Sequence, residues 1–276
     1  VTRDTLSDVP RFWLPDGRLV FDSARFGQNH LMTIRPGNVL PEVLLELSGP
    51  AQIAPCGKSL DDRAFQLDQI MLIHPPWNAP VTEVASSTVL STMAVDGSGL
   101  VERARFQGPP PLFSVGCSAD GQKAMVGSHH LDELELRWVN QDDWSLGEPV
   151  LKLPRKAAWT LSPDGDTLAV APSRDTPFLV DLKTGVQSTL DLPLDEAQRF
   201  TWSPEGETLY LTGMYGQDGA STYLLLKTDL EGNHEVLWTQ DESWLSWPSV
   251  SPDGTLLALL VWAFPEDIWM LQQKDL

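Results

Sequence analysis

A short phrase recurs along this chain and constrains its fold more than any other feature. Ser162-Pro163-Asp164-Gly165, Ser203-Pro204-Glu205-Gly206 and Ser251-Pro252-Asp253-Gly254 are near-identical copies. Ser118-Ala119-Asp120-Gly121 lacks the proline, Leu14-Pro15-Asp16-Gly17 lacks the serine, and Ala54-Pro55-Cys56-Gly57 keeps only the proline and the glycine. The six glycines fall at 17, 57, 121, 165, 206 and 254, with spacings of 40, 64, 44, 41 and 48, so only the second interval is anomalous. Proline sets φ at the second turn position, the acid accepts bonds from nearby amides, and glycine takes the positive φ that other residues resist. Each copy therefore reads as a hairpin corner.

A strand-like run follows nearly every corner: Arg18 to Phe21, Lys123 to Val126, Thr167 to Val170, Thr208 to Leu211 and Thr255 to Ala258. Two further runs usually come next, joined by a second polar turn, as in Leu224 to Asp229 and His234 to Trp238 around Leu230-Glu231-Gly232-Asn233. Four short strands in every repeat of about 40–45 residues, without a helical period, are the pattern of propeller blades. The expected fold is all-β: a six-bladed β-propeller of four-stranded antiparallel blades. The blades are expected near residues 4–48, 49–107, 108–154, 155–194, 195–242 and 243–276, the last completed by 1–3. The long second interval is read as an insertion, roughly Leu72 to Ser87, between the second and third strands of blade two. The alternative is a seventh blade with Val81 to Ala85 as one of its strands. The last blade stops after a third strand near Ile268 to Gln272. Because an open strand edge is costly, the N-terminal segment around Val1-Thr2-Arg3 is expected to pair beside it and close the ring.

The run Trp202-Ser-Pro-Glu-Gly-Glu-Thr-Leu-Tyr-Leu211, with a strand and an acidic glycine turn after it, resembles the TolB-type (PD40, WD-like) propeller repeat along essentially the whole chain. Ser246 to Gly254 with Asp267 to Leu271 also resembles the closing blade of bacterial propellers fused behind winged-helix regulators or serine/threonine kinases. The resemblance implies a recognition, sensor or scaffold module, with an extracytoplasmic setting favoured. Two other roles go with similar repeats: the gating propeller of a prolyl-oligopeptidase-like serine peptidase, or a periplasmic TolB-like protein.

Composition narrows the partners. With 19 Lys+Arg against 38 Asp+Glu the formal charge is −19, which disfavours nucleic acid and anionic membrane surfaces as ligands. The longest apolar run, Leu256 to Trp262, is far too short for a membrane helix and reads as a buried strand. The chain opens on Val1, read as a processed chain or as one domain of a longer protein. Its two cysteines, Cys56 and Cys117, stand at comparable positions of adjacent blades, either bonded or as two buried thiols.

In TolB-like propellers ligands usually meet the face built by the loops between second and third strands and by those leading into each blade. Those loops carry His74 and Trp77, His129 and His130, Tyr215, Trp244, and Trp262 with Phe264. We take these eight as candidate contacts for a protein or peptide partner, or a small ligand, because exposed aromatic rings are frequent interface anchors. The competing reading is that the rings only plug the channel mouth. Of the 11 tryptophans, Trp159 and Trp202 are assigned to innermost strands and Trp269 to a blade interior. No catalytic residues, metal ligands or cofactor are assigned. His129-His130 matches no ligand spacing, no calcium loop occurs, and Gly116-Cys-Ser-Ala-Asp-Gly121 is a corner rather than a nucleophile elbow.

Overall fold

The structure, a computed structural model, describes residues 8–23, 29–38, 40–47, 51–61, 64–74, 87–107, 112–129, 132–173, 175–216, 221–241, 243–262 and 267–272. They form six antiparallel sheets and no helix. The first sheet runs β1 (Asp8–Trp13), β2 (Leu19–Ser23), β3 (Asn29–Ile34), β4 (Glu42–Leu47). The second runs β5 (Gln52–Asp61), β6 (Ala64–His74), β7 (Ser87–Ala94), β8 (Val101–Gln107). In the third are β9 (Leu112–Cys117), β10 (Ala124–His129), β11 (Glu133–Val139) and β12 (Leu146–Pro154). The fourth holds β13 (Ala158–Leu161), β14 (Thr167–Ala171), β15 (Phe178–Asp181) and β16 (Gln187–Thr189). The fifth comprises β17 (Glu196–Trp202), β18 (Thr208–Tyr215), β19 (Thr222–Asp229) and β20 (His234–Gln240). Three described strands make the sixth: β21 (Trp244–Val250), β22 (Leu256–Trp262) and β23 (Asp267–Gln272).

The sheets stand in a ring as blades of a six-bladed propeller. The first strand of each sheet (β1, β5, β9, β13, β17, β21) touches the first strands of the two neighbouring sheets, so these six line the central channel. The second strands carry the apolar load: Leu19 to Phe21, Ala124 to Val126, Leu168 to Ala171 and Leu257 to Leu260 are all essentially unexposed. Their alternate side chains face the two adjacent sheets, so every seam of the ring is its own small core. Met125 and Leu136 meet Leu168 and Val170 at one seam; Phe21 and Met32 meet Ala258 and Ile268 at the seam that joins the last sheet to the first. Each such Leu, Met or Phe contributes roughly 1.5–3 kcal/mol on burial.

Innermost tryptophans add a directional link. The indole of Trp13 donates to the carbonyl of Ser249 at 2.9 Å, that of Trp159 to Ser114 Oγ at 3.0 Å, and that of Trp202 to the carbonyl of Thr160 at 3.4 Å. In each case the donor reaches the innermost strand of the preceding blade. Trp159 and Trp202 thus occupy their expected innermost strands.

The corner phrase behaves as its chemistry dictates. In blade four Gly165 N–H donates to Ser162 O at 2.9 Å, and Asp164 Oδ1 accepts from Ser162 Oγ at 2.5 Å and from Asp166 N–H at 2.9 Å. The buried Ser162 Oγ then accepts Thr167 N–H at 2.9 Å. The Ser118 and Ser251 corners repeat these bonds. Gly165 has φ +69°, which favours glycine, and a Cβ there would stand 2.7 Å from Lys123 Cδ and push that side chain aside.

Three expectations change. Ala54-Pro55-Cys56-Gly57 is no corner: all four residues lie inside β5, whose ladder with β6 runs on to the pair Asp61–Ala64. Proline is tolerated there because an innermost strand is paired on one side only and needs no donor towards the channel. Trp269 is not in a blade interior; it stands on β23, the outermost described strand of blade six, 48% exposed, its ring tilted against Trp238 of blade five at 6.0 Å. The cysteines do not sit at paired corners, yet they are bonded: Cys56 in β5 and Cys117 at the end of β9 have Cα atoms 5.3 Å apart and join blades two and three. The insertion falls between β6 and β7 as expected. Residues 1–3, assigned to ring closure, and Val81 to Ala85, the alternative seventh-blade strand, lie outside the described residues.

Candidate functional site

The up-and-down order of each sheet gives the ring two ends. One carries the corners; the other carries the links between blades and the connections from second to third strands. Each end has a described cavity. That at the corner end holds about 340 Å³ and is lined by Asp16, Arg18, Arg35 and Glu42 among others. Its charges are already matched, since Asp16 takes Arg18 at 2.8 Å and Arg35 at 3.4 Å. It offers a ligand little that the protein has not used.

The cavity at the opposite end differs. It holds about 550 Å³ at the channel mouth, where β13, β17 and β21 begin and β14 ends, and is lined by Lys156, Glu196, Gln198, Arg199, Trp244 and Trp247 with small residues between them. Trp244 and Trp262 are directly opposed in the β21–β22 ladder, and their rings stack at 5.6 Å with 22° between planes. Both stay about two-fifths exposed, 40% and 39%. The Trp244 indole N–H donates to Gln198 Oε1 of the preceding blade, which fixes the ring at the rim.

Below it the register of β21 slips between Ser246 and Ser249. Within that bulge Trp247 adopts φ +47°, one of two described non-glycine residues at positive φ. Such conformations cost of order 1–3 kcal/mol and persist where the surroundings enforce them. The guanidinium of Arg199 lies 4.9 Å from the centre of the Trp247 ring, and its Nη1 donates to Gln198 O at 2.8 Å. Burial, and after it the charge of Arg11, push the Arg199 pKa below the usual guanidinium value. Arg11 belongs to β1, on the other side of β21, and is itself paired with Asp22 through its Nε at 2.8 Å. Burial outweighs that partner and raises the Asp22 carboxyl above its ordinary pKa.

Of the eight candidate residues, Trp244 lines this cavity and Trp262 backs it. Tyr215 ends β18 in blade five with 57% exposure, but outside the cavity lining. His129 ends β10 in blade three, also away from the lining; burial, then the nearby Arg155 charge, lower its pKa. Of His74 only the backbone is described, as the last residue of β6, while Trp77, His130 and Phe264 lie outside the described residues. The residues that sequence reasoning passes over are Arg199, Trp247, Gln198 and Lys156. One signal for them was present: two tryptophans three apart with a proline following, Trp244-Leu-Ser-Trp-Pro248, break the strand alternation at what becomes the bulge. Among the described residues no group of three or more His, Cys, Asp or Glu side chains could hold a metal ion.

By sequence the chain matches no family model and no curated protein. By structure it is similar to TolB from Acinetobacter baumannii, with a TM-score of 0.59 at 17% identity over 82% of this chain and 52% of that one. A TolB-type structure from Agrobacterium tumefaciens gives 0.60 at 13% identity, over 86% and 82%. Oligogalacturonate lyase from Vibrio parahaemolyticus gives 0.58 at 11% identity, over 98% and 80%. The chain thus has a TolB-like β-propeller fold and spans about half the length of the Acinetobacter protein. At these identities the likeness is one of fold, and that fold serves a lyase as well as TolB, so it does not by itself separate a binding module from an enzyme.

Proposed function

We propose that this propeller is a recognition module whose binding surface is the channel-mouth face of blades four to six, and that it binds rather than transforms its ligand. The observation that carries the reading is the stacked, part-exposed Trp244–Trp262 pair at the rim of a 550 Å³ cavity. Two large, part-exposed apolar rings cost free energy that a partner recovers by covering them, and tryptophan is among the residues enriched at binding hot spots. A peptide or a small ligand fits a cavity of this size. The Cys56–Cys117 bond, with the TolB-like fold, favours an oxidising, extracytoplasmic compartment.

The reading is tested by selecting binders from a random peptide library on the wild-type protein and measuring them on Trp244→Ala and Trp262→Ala. Affinity is expected to fall roughly tenfold or more, as for hot-spot tryptophans. Binders with unchanged affinity for both variants would place recognition elsewhere on the molecule.

A further inference from the structure

We propose that the channel-mouth cavity receives a carboxylate, met by Arg199, on a ligand whose remaining body is apolar or aromatic and lies on Trp244 and Trp247. The inference rests on the recognition reading above and adds the chemistry of the ligand.

The first argument is an unmet demand. A guanidinium carries five N–H donors in a planar fork. Arg199 uses one of them on Gln198 O and covers one face with Trp247, and no carboxylate of a described residue lies within ion-pair distance. Carboxylates are not scarce in a chain with 38 of them. Several other described cations are matched, Arg11 by Asp22, Arg18 by Asp16, Lys183 by Asp166 and Arg137 by Glu135, while Arg103, like Arg199, rests on a tryptophan ring. An arginine left half-buried at a cavity wall is costly to desolvate unless an anion arrives.

The second argument is the local field. Lys156 and Arg199 line the cavity against a single acid, so it gathers positive charge in a protein of formal charge −19. Glu196 is the acid in the lining; a ligand must meet it with a neutral or donor group. The third argument is the strained backbone. The bulge that holds Trp247 at φ +47° brings its ring within 4.9 Å of the Arg199 guanidinium, in a residue that also lines the cavity. Arginine on an aromatic face with a carboxylate at its edge is a pre-organised bidentate receptor.

The carboxylate could belong to a small organic acid or to the C-terminus of a peptide, and the probes separate the two. Titrations followed by tryptophan fluorescence and calorimetry use 3-phenylpropionate, its neutral amide, and the peptide acetyl-Ala-Ala-Phe as free acid and as C-terminal amide. Each acid is expected to bind roughly ten- to a hundredfold more tightly than its amide, the range for a hydrogen bond to a charged group. A peptide acid binding tenfold more tightly than 3-phenylpropionate identifies a chain terminus; equal affinities identify a small acid. Arg199→Gln is expected to erase the acid–amide difference, and Arg199→Lys to keep part of it, with folding of both confirmed by circular dichroism. Trp244→Ala is expected to weaken acid and amide by the same factor.

Acid and amide binding alike, an acid preference that survives in folded Arg199→Gln, or no saturable binding of either acid up to about 20 mM overturns the proposal. The two readings fail differently. Selected peptides that depend on Trp244 while acid and amide bind equally leave recognition standing without the carboxylate. An acid preference at Arg199, with selected peptides indifferent to Trp244 and Trp262, does the reverse.

Discussion

At the corner end of the ring Asp120, Asp164 and Asp253 accept from a serine hydroxyl and a backbone amide of their own turn, and Asp166 sits between Lys123 and Lys183. At the mouth, Arg199 has a backbone carbonyl and an indole face, and no acid among the described residues. One end satisfies its charges by local design, repeated in blade after blade; the other, among the described residues, leaves a charge without an acid beside two part-exposed rings. The repeated residues are therefore read as structure, and the residues that break the repeat as function.

Four experiments can break or sharpen that contrast. The largest effect is expected from the covalent link near the corners: replacing Cys56 and Cys117 together by alanine should lower unfolding free energy by about 2–4 kcal/mol in denaturant titrations. A loss below about 1 kcal/mol would mean that the noncovalent corners alone set the order at that end.

Acid is the next lever. The carboxyls of Asp253, Asp181 and Asp229 are held below their ordinary pKa by Ser251, by the Thr184 amide and by Asn233 respectively. A folded pKa below the unfolded one contributes stability that is present above about pH 3.8 and lost as pH falls through the folded values. Asp22 works in the opposite sense, since its raised pKa relieves a cost as the pH drops towards it. Thermal melts between about pH 4 and pH 2 should show a steep fall in the wild type and a shallower one in Asp181→Asn, Asp229→Asn, Asp253→Asn. Parallel profiles would remove these turns from the account of acid stability.

Third is the corner hydroxyl. Ser162→Ala removes two hydrogen bonds inside a buried turn and should cost about 1–2 kcal/mol. Glu205→Ala, in the copy whose acid makes no such bond among the described residues, should fall within about 0.5 kcal/mol of wild type. Equal effects at the two corners would deny the hydrogen-bond reading. The smallest change, and the one of opposite sign, concerns the mouth. Arg199→Met gives up a cation–π contact but also a desolvated charge, so stability should stay level or rise by up to about 1 kcal/mol. A loss above about 1 kcal/mol in chemical denaturation would make Arg199 a structural residue.

The fold was legible to the degree that its chemistry is local. A proline–acid–glycine corner needs nothing beyond four residues, and the strand after it follows from an apolar run, so Ser162, Ser203 and Ser251 announce three blades unaided. Ala54 to Gly57 shows the limit: the same residue types serve a one-sided strand, and only tertiary pairing distinguishes the two uses. Trp269 was misplaced for a related reason, because an outer strand and an inner one share an alternating pattern while their exposure depends on what lies beside them. At the site, Trp244 and Trp262 were visible as loop-end aromatics. Arg199 and Trp247 were not, since their meeting depends on a register slip in one strand and on the proximity of β17 to β21, neither of which is written in any short segment.

The indole of Trp13, resting on Ser249, has a consequence for how such a molecule comes apart. Linear arrays of repeats possess terminal units with a single neighbour, and from there they can unzip one step at a time. Here the first and last sheets are each other's neighbours, so no unit is terminal and there is no natural place for fraying to start. Disassembly must begin by prying apart two partners that are each gripped from the other side, and for that reason the whole wheel is expected to give way together.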